Sequence, residues 1–96
     1  MKYKIGMIGQ FVNQHTFQLK GFRPNYFYLI KIIKINTAQR QPYLVKFIKR
    51  NHELIGHTGN PDEDGDCWWI NEDEFKPFTL SNCPKKYLED YKMALI

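Results

Sequence analysis

The chain has 96 residues, 43% hydrophobic and 16% aromatic, with a net charge of +4. That is one domain, apolar enough to fill a core without disulfide or metal. The net charge hides a division: residues 1–52 carry ten Lys and Arg and no acid, whereas residues 53–74 carry eight Asp and Glu and no Lys or Arg. Such segregation gives either two electrostatic faces or strands that pair their charges across a sheet.

No segment is read as crossing a membrane, because the apolar run at 26–35 is broken by Lys31 and Lys34 and is too short. The basic N-terminus lacks a sustained apolar stretch and a small-residue cleavage site, so cytoplasmic residence is expected. In that compartment Cys67 and Cys83 are expected to be buried free thiols.

In chain order, residues 4–13 hold Ile5, Met7, Ile8, Phe11 and Val12, with Gly6 and Gly9 between them. Two glycines so close oppose a helix and suit a bent first strand. Residues 14–25 show no period; Phe17, Leu19 and Phe22 are expected to tuck inward, and Arg23-Pro24-Asn25 is turn chemistry. Residues 26–36 are the clearest strand, dense in aromatic and β-branched side chains. Alternation slips there: Ile30-Lys31-Ile32 reads in-out-in, and so does Ile33-Lys34-Ile35. A β-bulge at Ile32-Ile33 accounts for the slip and puts both lysines on the outer face. Residues 43–50 form the next strand, with Val45 in, Lys46 out and Phe47 in. Lys31, Lys34, Lys46 and Arg50 then line up as a basic stripe. Residues 51–66 read as a long loop, since Gly56, Gly59, Pro61 and Gly65 exclude regular structure over most of it. Residues 67–71 resume a strand, 72–74 make a tight helical turn and 75–78 add a short last strand. Residues 84–95 read as a helix, capped at Asn82 or Cys83, with Pro84 in its first turn. Its apolar face, Tyr87, Leu88, Tyr91 and Leu95, is expected to cover one end of the barrel; docking that helix on a partner is the sharper alternative.

The stretch Cys67-Trp68-Trp69-Ile70-Asn71-Glu72-Asp73-Glu74-Phe75-Lys76-Pro77 resembles the closing segment of small SH3-like β-barrel proteins, many of them phage-encoded. In that family the pattern is two tryptophans, a Val or Ile, any residue, Glu-Asp-Glu, a Leu or Phe, any residue and a proline. Trp68, Trp69, Ile70, Glu72, Asp73, Glu74, Phe75 and Pro77 match it. The layout extends over about residues 1–78, the motif over about a dozen positions. The long acidic loop and the C-terminal helix depart from it. The resemblance implies a barrel with a 3₁₀ turn at the acidic triplet and a hydrophobic plug at Phe75. It implies further a phage accessory protein that binds something of the host, but not an activity.

Chemistry finds few footholds. His52, His57, Cys67 and Cys83 are zinc-ligand types, yet they lack the close cysteine pairs of zinc fingers and ribbons. Residues 60–66 echo a calcium loop, but its twelfth position is Asn71 rather than a bidentate Glu, and a strand follows instead of a helix. Cys67 or Cys83 with His15, His52 or His57 carries no nucleophile signature. The acids at 62–66 and 72–74 read as ionised and exposed, and Gly6 and Gly9 lack the helix and lysine of a phosphate loop. No cofactor, metal or small-molecule substrate is expected, and no enzymatic activity.

The reading is a mainly β domain: a small SH3-like barrel of about five antiparallel strands over residues 1–80, with a C-terminal α-helix in 81–96 packed on it. The expected function is non-enzymatic binding to a host protein, to modulate or inhibit it, through Lys31, Lys34, Tyr43, Lys46, Lys49, Arg50 and Trp69. The alternative is nucleic-acid binding, with Tyr26 and Tyr28 stacking on bases and Lys31, Lys34, Lys46 and Arg50 at phosphates. Trp68 and Trp69 must lie on opposite faces of one strand, so the outward one is the place in that segment to look for function.

Overall fold

A computed structural model describes residues 2–12, 28–50 and 67–96, apart from the side chains of Lys49 and Arg50. The expectations for 13–27 and 51–66, including Tyr26, His52, His57 and the acidic loop, fall outside the described residues. The strands are β1 (Ile8–Phe11), β2 (Tyr28–Ile35), β3 (Tyr43–Arg50), β4 (Cys67–Ile70) and β5 (Phe75–Pro77). They form one antiparallel sheet in the order β4-β3-β2-β1-β5. A helix, α1 (Leu88–Ala94), follows a 3₁₀ turn at Lys85–Tyr87.

The edge strands β4 and β5 are neighbours in sequence. Only Asn71 and a 3₁₀ turn, Glu72–Glu74, lie between them. Four strand spacings of a flat sheet come to about 19 Å, whereas a 3₁₀ turn advances about 2 Å per residue. The sheet must therefore curl until its two edges approach. Among the described residues no ladder joins β4 to β5, so this is a curled sheet rather than a closed barrel. The turn is fixed by a capping box. The Asn71 amide donates to Glu74 Oε1 at 2.6 Å, and the Asn71 side chain accepts from the Glu74 backbone. Glu74 is fully buried, which corrects the view of the triplet as exposed acids. Beyond it the Val12 amide donates to the Glu74 carbonyl at 2.8 Å, tying the turn to the end of β1.

The concave face holds the main core: Tyr3, Phe11, Tyr28, Ile30, Ile32, Tyr43, Val45, Phe47, Trp68, Ile70 and Phe75. Phe75 fills it edge-on against Tyr3, their ring centroids 4.9 Å apart. Gly6, with φ of 96°, turns the N-terminal segment so that its amide donates to the Ile32 carbonyl at 2.8 Å. Gly9 permits a close approach of β1 and β5. A Cβ placed there would collide with the Lys76 carbonyl oxygen and lie 2.9 Å from Phe75 Cζ.

The β2–β3 ladder slips twice. Ile32 pairs with Val45 and Lys34 with Leu44, which leaves Ile33 as the extra residue of β2; Leu29 pairs with Lys49 and Ile30 with Phe47, which leaves Ile48 extra on β3. The first slip is the bulge expected at Ile32-Ile33. Its consequence differs in one respect. Ile33 is 38% exposed rather than inward, because in a bulge two residues oppose one and both stand on the outer side.

On the convex face a second cluster joins Ile8, Leu29, Phe78, Cys83, Tyr87 and Tyr91, with Ile48, Leu88 and Ala94 partly buried against it. The helix thus lies across the outer face of the sheet and does not cap an end of it. It is also shorter than expected: Pro84 precedes the 3₁₀ turn and α1 begins at Leu88. Leu95, assigned to the apolar face, is 52% exposed, since its turn lies past the last helical residue. Both cysteines are free and buried.

Candidate functional site

Antiparallel register fixes which outer-face residues are neighbours. One row runs Lys34, Leu44, Trp69; the next runs Ile8, Lys31, Lys46, Cys67. Within a row, facing residues stand about 4.5–5.5 Å apart, and rows lie two residues, about 6.7 Å, apart along a strand. The inner-face row between them is Ile32, Val45, Trp68. Trp68 is therefore the core tryptophan and Trp69 the outward one, half-buried against solvent.

Ile8 and Leu29 lie beneath the helix cluster. The Lys34–Leu44–Trp69 row belongs to neither hydrophobic cluster. There Lys34 is exposed, Ile33 stands beside it in the bulge, Leu44 is buried and Trp69 half-buried. Lys46, two residues along β3 from Leu44, is also exposed. The sheet therefore brings together Ile33, Lys34, Lys46 and Trp69 around Leu44. Of these, Lys34, Lys46 and Trp69 are the residues expected from sequence. Ile33 and Leu44 are additions; the broken alternation at Ile32-Ile33 was the signal that could have exposed Ile33.

Lys31 and Lys46 face each other across β2 and β3, a like-charge pair. Lys31 is half-buried, and its Nζ donates to the Ala94 carbonyl at 2.6 Å. A cation at the C-terminal end of α1 satisfies a carbonyl the helix leaves open and complements its dipole. Lys31 is thus a helix clamp as much as a surface charge. Between it and the helix end lies an open groove of about 370 Å³, lined by Lys31, Lys46, Ile48, Asp90, Met93, Ala94 and Ile96.

Two expected contacts are corrected. Tyr43 and Tyr28 are both fully buried in the main core, so neither ring is presented to a partner or a base. Tyr28 lies T-shaped to Phe47, their centroids 5.5 Å apart. Tyr43 Oη donates to Glu72 Oε2 at 3.0 Å and accepts from the Tyr3 amide at 3.2 Å. Burial is the main cause that raises its hydroxyl pKa above the ordinary value; the carboxylate of Glu72 adds to it and the Tyr3 amide opposes it. The inward pointing of both follows from register: Tyr28 shares the face of Ile30 and Ile32, and Tyr43 pairs with Ile35 and Ile70. Lys49 and Arg50 belong to β3, and their side chains lie outside the described residues, as does Tyr26.

Among the described residues no group of three or more His, Cys, Asp and Glu side chains is placed to hold a metal ion. Cys83 sits under the helix. Burial chiefly, and then the charge of Asp90, pushes its thiol pKa up, which favours the inert protonated form. Among the described residues no helix is long and apolar enough to cross a membrane.

No protein-family model, curated protein or solved structure matches this chain.

Proposed function

We propose that this chain is a non-enzymatic binding protein, an accessory factor of the phage type that docks on a bacterial host protein in the cytoplasm and modulates or inhibits it. The observation that carries the docking is the part of the outer face that α1 leaves outside its cluster, where Ile33, Lys34, Lys46 and Trp69 surround Leu44. Tryptophan with aliphatic and cationic neighbours is the composition of a protein-contact patch, and a half-buried indole is held at low entropic cost for a partner to cover. The phage setting and the host target are supported by the resemblance at residues 67–77.

The nucleic-acid reading has less support. Its stacking tyrosine Tyr28 is core, and so is Tyr43. Tyr26 and the side chain of Arg50 lie outside the described residues, and the described lysines Lys31, Lys34 and Lys46 serve a protein partner equally well.

The test immobilises the protein and captures from a bacterial lysate, with Trp69→Ala and Lys34→Glu in parallel. One stoichiometric host protein, lost from both variants, is the expected result. Recovery of nucleic acid without a stoichiometric protein, together with salt-sensitive binding to duplex or single-stranded DNA, would overturn the reading.

A further inference from the structure

The two edges of the sheet are finished differently. At β5 the Glu74 carbonyl accepts from the Val12 amide and the Phe78 amide donates to the Ile8 carbonyl, so Phe75 and Pro77 turn their backbone groups away from β1. That outer edge is closed. The Phe75 amide donates to the Glu72 carbonyl, the Phe75 carbonyl accepts from Tyr3 Oη at 3.3 Å, and Pro77 has no N–H. The edge at β4 is open. The Pro42 carbonyl accepts from the Asn36 amide at 2.8 Å, so Pro42 faces β2 and, by alternation, Tyr43 and Val45 face β4. The Ile32 amide, donating to the Met7 carbonyl at 2.9 Å, sets the same phase from the other side of β2. Tyr43 pairs with Ile70 and Val45 with Trp68, so Trp68 and Ile70 carry the bonds to β3. Trp69, between them, turns its N–H and C=O outward, and neither meets a partner among the described residues. The next outward residue, Asn71, is taken up by the capping box. β4 carries neither charge nor proline, two usual protections of an edge strand.

Going beyond the docking reading above, we propose that two copies of this chain pair through β4, antiparallel, about a two-fold axis at Trp69. Each Trp69 N–H donates to the Trp69 carbonyl of the second copy, so the residue with open backbone groups satisfies itself. The two indoles then stand side by side on the outer face, their Cα atoms about 5.5 Å apart, and form an aromatic pair. A foreign strand would gain the same two hydrogen bonds without that pair. The closed edge of β5 limits the assembly to two copies, since head-to-tail growth needs a β5 edge to meet each β4. The Lys34–Leu44–Trp69 rows of the two copies meet end to end and double the outer-face patch. Five strand spacings, about 24 Å, separate Lys34 from Lys34 of the second copy, beyond a Debye length at physiological salt, so their like charge does not oppose the pairing.

Sedimentation velocity of the full chain, from about 1 µM to about 1 mM, tests the pairing. The expected result is a monomer–dimer equilibrium with a Kd of about 1 mM or tighter and no larger species. Trp69→Pro removes the outward N–H, which the ladder to β3 does not use, and is expected to weaken the dimer by about tenfold or more. Trp69→Phe keeps the N–H and an aromatic ring and is expected to dimerise. Thermal melting verifies that both variants fold. Should Trp69→Pro unfold, amide hydrogen exchange of the wild type replaces it: the Trp69 amide is expected to exchange rapidly when dilute and slowly when concentrated, with Trp68 and Ile70 protected throughout. A chain monomeric at about 1 mM, a mass beyond two copies, an unweakened Trp69→Pro dimer, or a Trp69 amide whose exchange ignores concentration would each overturn the inference. Capture of a host protein is read separately. A monomer that captures one through the Trp69 row removes the dimer and leaves the docking reading standing; a dimer that captures none does the reverse.

Discussion

Gly9 leaves no room for a side chain. Its missing side chain lets the backbone of Lys76 come against it, with Phe75 Cζ 2.9 Å from where a Cβ would stand. Gly9→Ala is expected to cost about 1–3 kcal/mol or more, as forced overpacking does, and chemical denaturation reads it directly. Glu74 is the second such position. Its buried carboxylate accepts the Asn71 amide, so Glu74→Ala removes one half of the capping box and leaves a part-buried donor without that acceptor. The expected loss is about 1–2 kcal/mol, read as a fall in the urea midpoint. Tyr43 supplies a pH dependence. Its folded pKa is raised above 10.0, so the neutral hydroxyl is the form the fold prefers. That preference is fully present below about pH 10 and is lost as pH rises through the folded value. The urea midpoint is expected to fall more steeply above about pH 10 in the wild type than in Tyr43→Phe, which has no hydroxyl to ionise. At this scale the sequence was a partial guide. Gly9 was legible as a strand glycine, because two glycines in four residues oppose a helix. Tyr28, Tyr43 and Glu74 were not, because a tyrosine or an acid is compatible with either face of a strand until register and turn geometry are known.

Among the elements, the strands were the most legible and the helix the least. Residues 43–50 alternate, and β3 keeps that alternation through Phe47. In β2 the break in alternation was itself the information, since it marked the bulge that now exposes Ile33. The acidic triplet became the expected tight turn because Asn71 and Glu74 stand at capping-box spacing. The C-terminal helix was recognisable by period, yet where it docks was not written in its own residues. Docking depends on the outer-face apolar positions of other elements, Ile8, Leu29 and Ile48, which only the assembled sheet brings together. Seven residues make a helix too short to persist alone, so α1 exists through this docking. Tyr91 is its buried anchor, and its hydroxyl donates to the Phe78 carbonyl at 3.4 Å. Tyr91→Ala is therefore expected to lose about 3–5 kcal/mol or to release the helix altogether. Iodoacetamide labelling followed by peptide mapping separates the two cases. Cys83 is expected to react slowly in the wild type, being buried with a raised thiol pKa, and rapidly once the helix lets go.

For the molecule as a whole, the segregated charge of the sequence resolves in part. The described acids of residues 72–74 serve the fold: Glu74 caps the turn and Glu72 holds Tyr43. The described lysines of β2 and β3 collect on one outer face, with Lys31 spent on the helix end and Lys34 left to solvent. The curled sheet thus has a concave side filled by the core, a convex side partly covered by α1, and the Trp69 row outside both clusters. The partner's identity was never legible, because a binding surface encodes shape and charge and leaves the name of its target unwritten. The most direct measurement maps the captured host protein onto ¹⁵N-labelled full-length chain by chemical-shift perturbation. The account predicts changes concentrated at Ile33, Lys34, Leu44, Lys46 and Trp69, with α1 and the β1–β5 pair unmoved. Perturbations centred on α1 or along β5, with the Trp69 row silent, would contradict it.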